Sequence, residues 1–212
     1  MGFWKIKLKF NMKRLLDIFG SLILILILSP IYFITAILIF IESGFPVIYR
    51  QKRASHLNGK SFILYKFRSM KNDNKFELAE LEKLNEADGL LFKIKNDPRI
   101  TNIGKIIRKF YIDELPQLIN VLKGDMGLVG PRPLSLRDLK NIFLSNYNIS
   151  LINFRSNIKP GITGYWQISK DREYNFEQMI LLDSVYNKKN KSRFDFEILL
   201  KTISVVLAGK GI

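Results

Sequence analysis

The stretch Ile18–Ile41, IFGSLILILILSPIYFITAILIFI, is a run of 24 residues without a charged side chain. A helix needs about 20 apolar residues to cross the hydrocarbon core of a bilayer, so the run is long enough. It is apolar on every face, which is untypical of a helix buried in a soluble protein. It is too long for a signal peptide, and no small-residue cleavage site follows it. The stretch therefore predicts a membrane segment.

Ser29-Pro30 lies near the middle of this segment, where proline is expected to kink or break a helix because it removes a backbone donor. Positive charge accumulates on the cytoplasmic side of membrane segments. Basic residues flank both ends here: Lys5, Lys7, Lys9, Lys13, Arg14, Arg50, Lys52 and Arg53. We therefore predict a re-entrant hairpin that bends at Ser29 and Pro30, with a kinked spanning helix as the alternative. Residues 1–45 would form the anchor and residues 46–212 a domain on the cytoplasmic face.

Charge and composition limit the chemistry. The 212 residues carry 34 Lys and Arg against 19 Asp and Glu, a formal net charge of +15, so an anionic partner is expected. Nucleic acid, lipid headgroups and phosphorylated substrates all satisfy that expectation. The chain has no cysteine, and its one histidine, His56, lies in a polar stretch typical of a turn. Catalysis would therefore depend on carboxylates, basic residues, hydroxyls or a hard metal ion.

The remainder of the chain predicts an α+β fold that is mainly helical. Apolar stretches at 46–49 and 61–67 predict two short strands with a turn at 57–60 between them. Helical spacing or composition marks five further segments: 76–88, 103–111, 113–122, 135–157 and 194–207. The last of these is amphipathic and could lie on a membrane surface.

Asp113 and Glu114 open the predicted helix 113–122, with Pro116 in its first turn. The positive end of a helix dipole favours ionised carboxylates and phosphate alike. Taken alone, the pair is better explained as an ordinary N-cap followed by a first-turn glutamate.

The surroundings of this pair change that interpretation. Arg108 precedes it, and Arg132 follows between two prolines in the glycine-rich loop 124–133. A guanidinium suits phosphate oxygens, and Mg²⁺ binds carboxylates together with substrate phosphates. The cluster indicates phosphoryl chemistry with a divalent cation, against the alternative of a structural turn with a solvated arginine. A second glycine-containing loop, 159–167, is equally well explained as a ligand-binding loop or as a turn with a core tryptophan, Trp166.

Motifs along nearly the whole chain support a family resemblance. In order, they are Lys13-Arg14-Leu15-Leu16-Asp17, Ser29-Pro30, Gln51 with Arg53, Tyr65-Lys66-Phe67-Arg68-Ser69-Met70, Asp97 with Arg99, Thr101 and Gly104, Arg108, Asp113-Glu114-Leu115-Pro116-Gln117, Asn120 to Met126, Val129 to Pro133, and Pro160 to Gly164. The chain resembles the bacterial sugar transferases, also called monotopic phosphoglycosyl transferases, which start the assembly of cell-surface glycans.

The resemblance implies an enzyme with a two-step mechanism. Asp113 matches the nucleophile, which attacks the nearer phosphate of a UDP-sugar, releases UMP and forms a covalent phosphosugar intermediate. Polyprenyl (undecaprenyl) phosphate then accepts the sugar phosphate. Glu114 matches the partner carboxylate, expected to bind Mg²⁺ with Asp113. Four positions are expected to contact substrate phosphate: Arg108, Arg132, Lys66 and Arg68.

The resemblance also implies a location and partners. It places the protein on the cytoplasmic face of the bacterial inner membrane, with membrane lipids and no nucleic acid as partners, and leaves a homodimer open. The chain departs from the family pattern at Ala54-Ser55, Gly127 and 170–172, which bear on sugar recognition. The tail after Glu173 looks closest to members that transfer galactose or glucose phosphate. Direct displacement without a covalent intermediate and a non-catalytic basic membrane-binding protein are the alternatives.

Overall fold

The computed structural model of the chain describes residues 2–54, 61–71, 81, 83–87, 90–92, 94, 96–145, 148–169, 175–189, 191–209 and 211. The helices are α1 (Gly2–Ile27), α2 (Ser29–Ser43), α3 (Asn102–Lys109), α4 (Gln117–Lys123), α5 (Leu136–Leu144), α6 (Phe176–Lys188) and α7 (Lys191–Leu207), with 3₁₀ segments at Ile112–Glu114 and Ile149–Asn157. The strands are β1 (Ile48–Ala54), β2 (Ser61–Phe67), β3 (Gly127–Val129) and β4 (Gly161–Thr163). The predicted α+β, mainly helical fold is confirmed.

The apolar segment is broken where the sequence predicts. Helix α1 ends at Ile27, α2 begins at Ser29, and the two axes are bent by 62°. Pro30 lies in the first turn of α2, where its missing N–H costs little. Among the described residues, no single helix is both long and apolar enough to cross a membrane; Met12–Ile27 and Ser29–Ser43 meet that requirement only as a bent pair.

Most large apolar side chains of this helix pair face outward. They include Leu15, Leu16, Phe19, Leu22, Ile23, Leu26, Ile27, Phe33, Ile34, Leu38, Phe40 and Ile41. The inner face of α2 is different, because Ile39 is buried and packs against Phe67 and Ile107. One face of α2 thus belongs to the core, while the other presents an apolar surface.

Polar side chains near the start of the apolar run attach α1 to the body of the protein. Arg14 donates to the carbonyls of Val121 (2.6 Å) and Leu122 (2.8 Å) at the end of α4. Asp17 is buried and accepts a hydrogen bond from the Leu128 amide (3.0 Å) in β3. Leu122 lies in the last turn of α4, where a helix supplies no further amide donors to its carbonyls, and Arg14 provides a donor there.

Strands β1 and β2 form an antiparallel ribbon in which Tyr49 pairs with Lys66 and Ala54 with Ser61. The predicted first strand, 46–49, is wrong in its bounds, because β1 begins at Ile48 and continues through the polar residues to Ala54. Ribbon pairing tolerates this polar run because Tyr49, Arg50 and Lys52 of β1 remain exposed. The Asn120 side chain of α4 attaches the ribbon to that helix. It donates a hydrogen bond to the Ile63 carbonyl and accepts one from the Tyr65 amide.

Two predicted helices are wrong as single elements. The segment 113–122 divides into the 3₁₀ turn Ile112–Glu114 and helix α4, because Pro116 has no amide proton and becomes the N-cap of α4. The carboxylate pair therefore does not occupy an α-helix N-terminus. The segment 135–157 divides into α5 and a 3₁₀ segment, and residues 146 and 147 between them are not described.

Some of the remaining predictions concern described residues, and others concern residues that the structure does not describe. The amphipathic segment 194–207 lies in α7, and Trp166 is a core residue. The turn at 57–60 and His56 lie outside the described residues, as do 76–80, 82 and 88 of the predicted acidic helix.

Strands β3 and β4 pair in parallel and bring two loop backbones very close together. A Cβ atom at Gly161 would lie 2.0 Å from the amide nitrogen of Gly130, and one at Gly130 would lie 2.3 Å from the Lys159 carbonyl oxygen. These glycines are required by the close approach of two main chains rather than by an unusual backbone angle.

We expect Gly161→Ala to lower the free energy of unfolding by about 2 kcal/mol or more, because the added methyl group meets backbone that cannot rotate away. The measurement is the thermal unfolding midpoint of the detergent-solubilised protein. Lys188→Ala, on the exposed last turn of α6, is the control and should stay close to the parent. An unchanged midpoint for Gly161→Ala would show that the β3–β4 approach is looser than described.

Candidate active site

Lys66 of β2 brings the two adjacent carboxylates into one buried cluster. Its ammonium nitrogen lies 2.6 Å from Glu114 Oε1 and 3.4 Å from Asp113 Oδ2. The side chains of all three residues are less than one-fifth exposed. The cluster joins residues that are 47 and 48 positions apart in the chain.

The 3₁₀ turn Ile112–Glu114 aims both carboxylates at this lysine. Tyr111, just before the turn, has a left-handed backbone with φ of 57°, which redirects the chain after α3. The turn is closed by hydrogen bonds from the Glu114 amide to the Tyr111 carbonyl and from the Leu115 amide to the Ile112 carbonyl, both 3.1 Å. A non-glycine residue with positive φ is uncommon and is found where the surrounding structure enforces it.

The two carboxylates have different electrostatic surroundings. Burial raises the pKa of Asp113, and the nearby Lys66 and Arg108 only partly oppose this. Burial acts on Glu114 in the same direction, but Lys66 and then Arg132 outweigh it and lower the pKa of Glu114 to about 2. Glu114 is thus firmly ionised, while Asp113 is the more basic of the two. This asymmetry is typical of paired carboxylates that have different roles.

The main chain around Arg132 is fixed by hydrogen bonds from other parts of the protein. It lies 3.7 Å from Glu114 Oε1, in a segment where four successive carbonyls, those of residues 131 to 134, each accept a hydrogen bond. The donors are the Gly161 amide, the Arg155 side chain, the Arg53 side chain and the Ala54 amide. Such complete pairing fixes the segment that carries the guanidinium.

Arg155, the donor to the Arg132 carbonyl, is itself buried and paired with Asp183 of α6 at 2.7 Å. Burial, only partly opposed by Arg155, raises the pKa of Asp183 to about 6. Removing either partner would leave a buried charge without compensation, which is costly.

A cavity beside Glu114 is lined partly by residues that are not among the predicted site residues. Its lining includes Lys66, Glu114 and Arg132, together with Arg53, Gln117 and Gln167. Arg53 is fixed by Gln51 (3.0 Å) and by the Pro133 carbonyl (3.2 Å). Burial and the neighbouring Arg132 lower the pKa of Arg53 to about 10, so it remains charged at neutral pH. The motif Gln51-Lys52-Arg53 was the signal that could have identified it.

The predicted phosphate-binding residues do not all lie together. Lys66 and Arg132 meet the carboxylates, and Arg108, in the last turn of α3, is close enough to influence the pKa of Asp113. Arg68 lies elsewhere: it is buried and donates to the carbonyls of residues 43, 44 and 45, at the end of α2. Arg68 therefore caps the C-terminal end of α2, a role that its place in a motif did not reveal.

The donor set can be compared with the needs of Mg²⁺. Among the described residues, no group of three or more His, Cys, Asp or Glu side chains is close enough to hold a metal. Two carboxylates suffice when substrate phosphates and water complete the octahedron, so Asp113 and Glu114 fit this cation by type. Their present neighbour is the Lys66 ammonium, and Arg53 and Arg132 add positive charge. Mg²⁺ would therefore bind favourably only together with an anionic ligand.

A buried carboxylate pair surrounded by lysine and arginine side chains suits the handling of phosphate groups. A model of the bacterial sugar transferases matches residues 8–209, and the chain therefore belongs to this family. The predicted resemblance is confirmed.

Individual relatives agree with this membership. The galactosyl transferase CpsE of Streptococcus agalactiae is 44% identical over 202 residues, which cover 94% of this chain and 43% of that protein. The undecaprenyl-phosphate galactose phosphotransferase of Salmonella typhimurium is 40% identical over 204 residues, covering 94% and 41%. The exopolysaccharide production protein ExoY of Rhizobium meliloti is 33% identical over 203 residues, covering 94% and 87%. The chain thus spans about two fifths of the first two relatives.

We expect Lys66→Gln to make the protein less stable at neutral pH but not at very low pH. In the parent, Glu114 has a pKa of about 2 against an ordinary value of 4.5. The stability linked to this shift is fully present above pH 4.5 and is lost as the pH falls through 2. It amounts to roughly 3 kcal/mol at most, and without the ammonium most of it should disappear.

The measurement is the thermal unfolding midpoint of both proteins from about pH 2 to about pH 7. The difference between them should widen as the pH rises to about 4.5 and then stay level, and Lys66→Arg, which keeps the charge, should restore part of it. A constant difference across this range would mean that Lys66 stabilises the fold by packing alone.

Proposed function

We propose that this protein transfers a sugar phosphate from a UDP-sugar to undecaprenyl phosphate and releases UMP. The observation that carries the proposal is the buried cluster in which Lys66 holds Asp113 and Glu114 together, with Arg132 3.7 Å from the second carboxylate. Two buried carboxylates are costly to desolvate and would weaken the binding of anions by the neighbouring cations. A surface that only binds anions would not be expected to contain them, which disfavours the non-catalytic alternative.

In this proposal Asp113 is the nucleophile. An oxygen of its carboxylate forms a bond to the phosphorus next to the sugar, and the bond from that phosphorus to the bridging oxygen breaks, so that UMP leaves with the electron pair. A phosphate oxygen of the lipid then attacks the same phosphorus and releases the carboxylate. Burial raises the pKa of Asp113, which supports this choice because a less solvated, more basic carboxylate is the better nucleophile.

The remaining residues would orient and neutralise the diphosphate. Arg53 and Arg132 line the cavity on the Glu114 side, where two fixed guanidinium groups suit two linked phosphates. Arg108 acts on the Asp113 side. Asp113 and Glu114 would hold Mg²⁺, which when bound supplies charge for the phosphate oxygens. Lys66 balances the carboxylates in the absence of ligand.

The proposal extends to location and substrate. The bent, outwardly apolar pair α1 and α2 would form a re-entrant hairpin within residues 1–45, so that residues 46–212 meet the lipid phosphate at the cytoplasmic face of the inner membrane. Relatives are named for galactose transfer and, in Aeromonas hydrophila, for transfer of N-acetylgalactosamine phosphate. UDP-galactose is therefore the first donor to test, in a pathway of exopolysaccharide, capsule, O-antigen or glycoprotein glycan synthesis.

The reaction can be tested by incubating UDP-galactose, labelled in the sugar, with the protein and without a lipid acceptor. We expect UMP release and label retained on the protein, both lost in Asp113→Asn and both strongly reduced by chelation of divalent cations. Adding undecaprenyl phosphate should move the label to the lipid. UDP-glucose and UDP-N-acetylgalactosamine complete the donor panel.

Glu197→Gln is the control, because this carboxylate is half-exposed and pairs with Arg193, one helical turn away. It should match the parent. UMP release that needs the acceptor, with no label trapped on the protein under any condition, would favour direct displacement. No UMP release from any donor would contradict the proposed function itself.

Topology can be tested separately because the chain contains no cysteine. We expect Gly2→Cys to be unreactive toward an impermeant maleimide in intact cells and to react after permeabilisation. Lys188→Cys, in the proposed cytoplasmic-face domain, should behave identically. Labelling of Gly2→Cys from outside, with Lys188→Cys protected, would replace the hairpin by a kinked spanning helix.

A further inference from the structure

The inner face of α2 forms a wall of the small core beneath the candidate active site. This core, here called the α2 core, centres on Ile39, Phe67 and Ile107. Further members are partly buried, namely Tyr32, Ala36, Val47, Ile48, Ile103, Ile112 and Leu115. The helix whose other face is the apolar surface therefore packs directly against the catalytic part of the chain.

Four of the site residues are immediate neighbours of residues in the α2 core. Lys66 precedes Phe67, Arg108 follows Ile107, Asp113 follows Ile112, and Glu114 precedes Leu115. A shift of α2 would therefore reach all four functional side chains through one peptide unit each. Packed cores resist small deformations, so such a shift is transmitted rather than absorbed.

One polar contact ties α2 to the carboxylate turn specifically. The Tyr32 hydroxyl donates a hydrogen bond to the Leu115 carbonyl, the first residue after Glu114. The Tyr32 ring also packs edge-on against Phe67, with centroids 5.6 Å apart. A single side chain of the apolar helix thus contacts the residues next to Glu114 and next to Lys66.

The other end of α2 is attached as firmly. Glu42 accepts hydrogen bonds from the amides of Asn102 (2.8 Å) and Ile103 (3.1 Å), at the start of α3. Arg68, the first residue after β2, donates a hydrogen bond to the Ser43 carbonyl at the end of α2 (2.6 Å). These contacts fix the last turn of α2 to the elements that carry Arg108 and Lys66, so α2 has defined positions at both ends relative to the site.

We propose that α2 acts as a positioning element for catalysis and that Tyr32 is its positioning residue for the Asp113–Glu114 turn; this rests on the proposed function. The outer face of α2 sets the depth of the helix in the bilayer, and the inner face passes that depth on to the carboxylates. The turn is thereby held at a fixed height relative to the surface at which the lipid phosphate lies. Tyr32 does not touch substrate and acts through the Leu115 carbonyl.

The test is Tyr32→Phe, which removes the hydroxyl and keeps the ring. We expect kcat for UMP release to fall about tenfold while KM for the UDP-sugar and the Kd for UDP stay within twofold, because the nucleotide cavity is untouched. Tyr65→Phe is the matched control: it removes a hydroxyl that accepts from the exposed Lys123 and should leave both constants unchanged.

A second measurement does not depend on activity. Hydrogen–deuterium exchange of the detergent-reconstituted full chain should rise several-fold in residues 111–118 of Tyr32→Phe, and should be unchanged in residues 161–168. This local change distinguishes positioning from a general loss of folding, and it remains informative even if no donor yields UMP.

Three results would overturn the inference. Unchanged kcat and unchanged exchange in Tyr32→Phe would show that the hydroxyl positions nothing. A rise in KM at constant kcat would place its effect on donor binding. Equal losses in Tyr32→Phe and Tyr65→Phe, or faster exchange in both segments, would indicate a purely structural contribution.

Discussion

Two carboxylates that lie side by side away from water must be neutralised, and much of the site can be understood from this requirement. Lys66 meets it from β2, reaching Glu114 at 2.6 Å and Asp113 at 3.4 Å. Because the Lys66 ammonium lies closer to Glu114 than to Asp113, the pair is divided: Glu114 receives the stronger contact and a second cation in Arg132, while Asp113 retains a raised pKa. The two roles proposed for the pair follow from that unequal sharing.

The position of the second cation depends on main-chain geometry rather than on the arginine itself. The glycines of β3 and β4 allow two loops to touch, and Gly161 then donates to the Pro131 carbonyl. Arg155 and Arg53 secure the next two carbonyls from the side. A guanidinium on a segment fixed at every carbonyl has little conformational freedom left to lose when it binds phosphate.

The sequence was sufficient for features that depend on local chemistry. The break at Ser29-Pro30 and the strand 61–67 follow from proline geometry and apolar pattern, and both are present in the fold. It was not sufficient where distant segments meet. No periodicity indicates that Tyr111 takes a left-handed backbone or that Pro116 starts a new helix, so the sequence pattern predicts a helix start where the structure has the carboxylate turn. Arg68 and Arg53 carry the same charge in similar motifs, and only tertiary packing separates a helix cap from a cavity wall.

The attachment of α1 has a consequence for how such proteins diversify. Arg14 binds the carbonyls of Val121 and Leu122, and Asp17 binds the Leu128 amide. These partners are main-chain carbonyl and amide groups, and every residue except proline has both. The side chains of Val121, Leu122 and Leu128 can therefore change without loss of these hydrogen bonds. The contacts of Arg14 and Asp17 are therefore nearly independent of the side chains opposite them, in contrast to the α2 core, where Phe67 and Ile107 must fit the helix. A segment that carries Arg14 and Asp17 could therefore keep these contacts in related chains whose side chains in α4 and β3 differ, or in a deliberately built chimera.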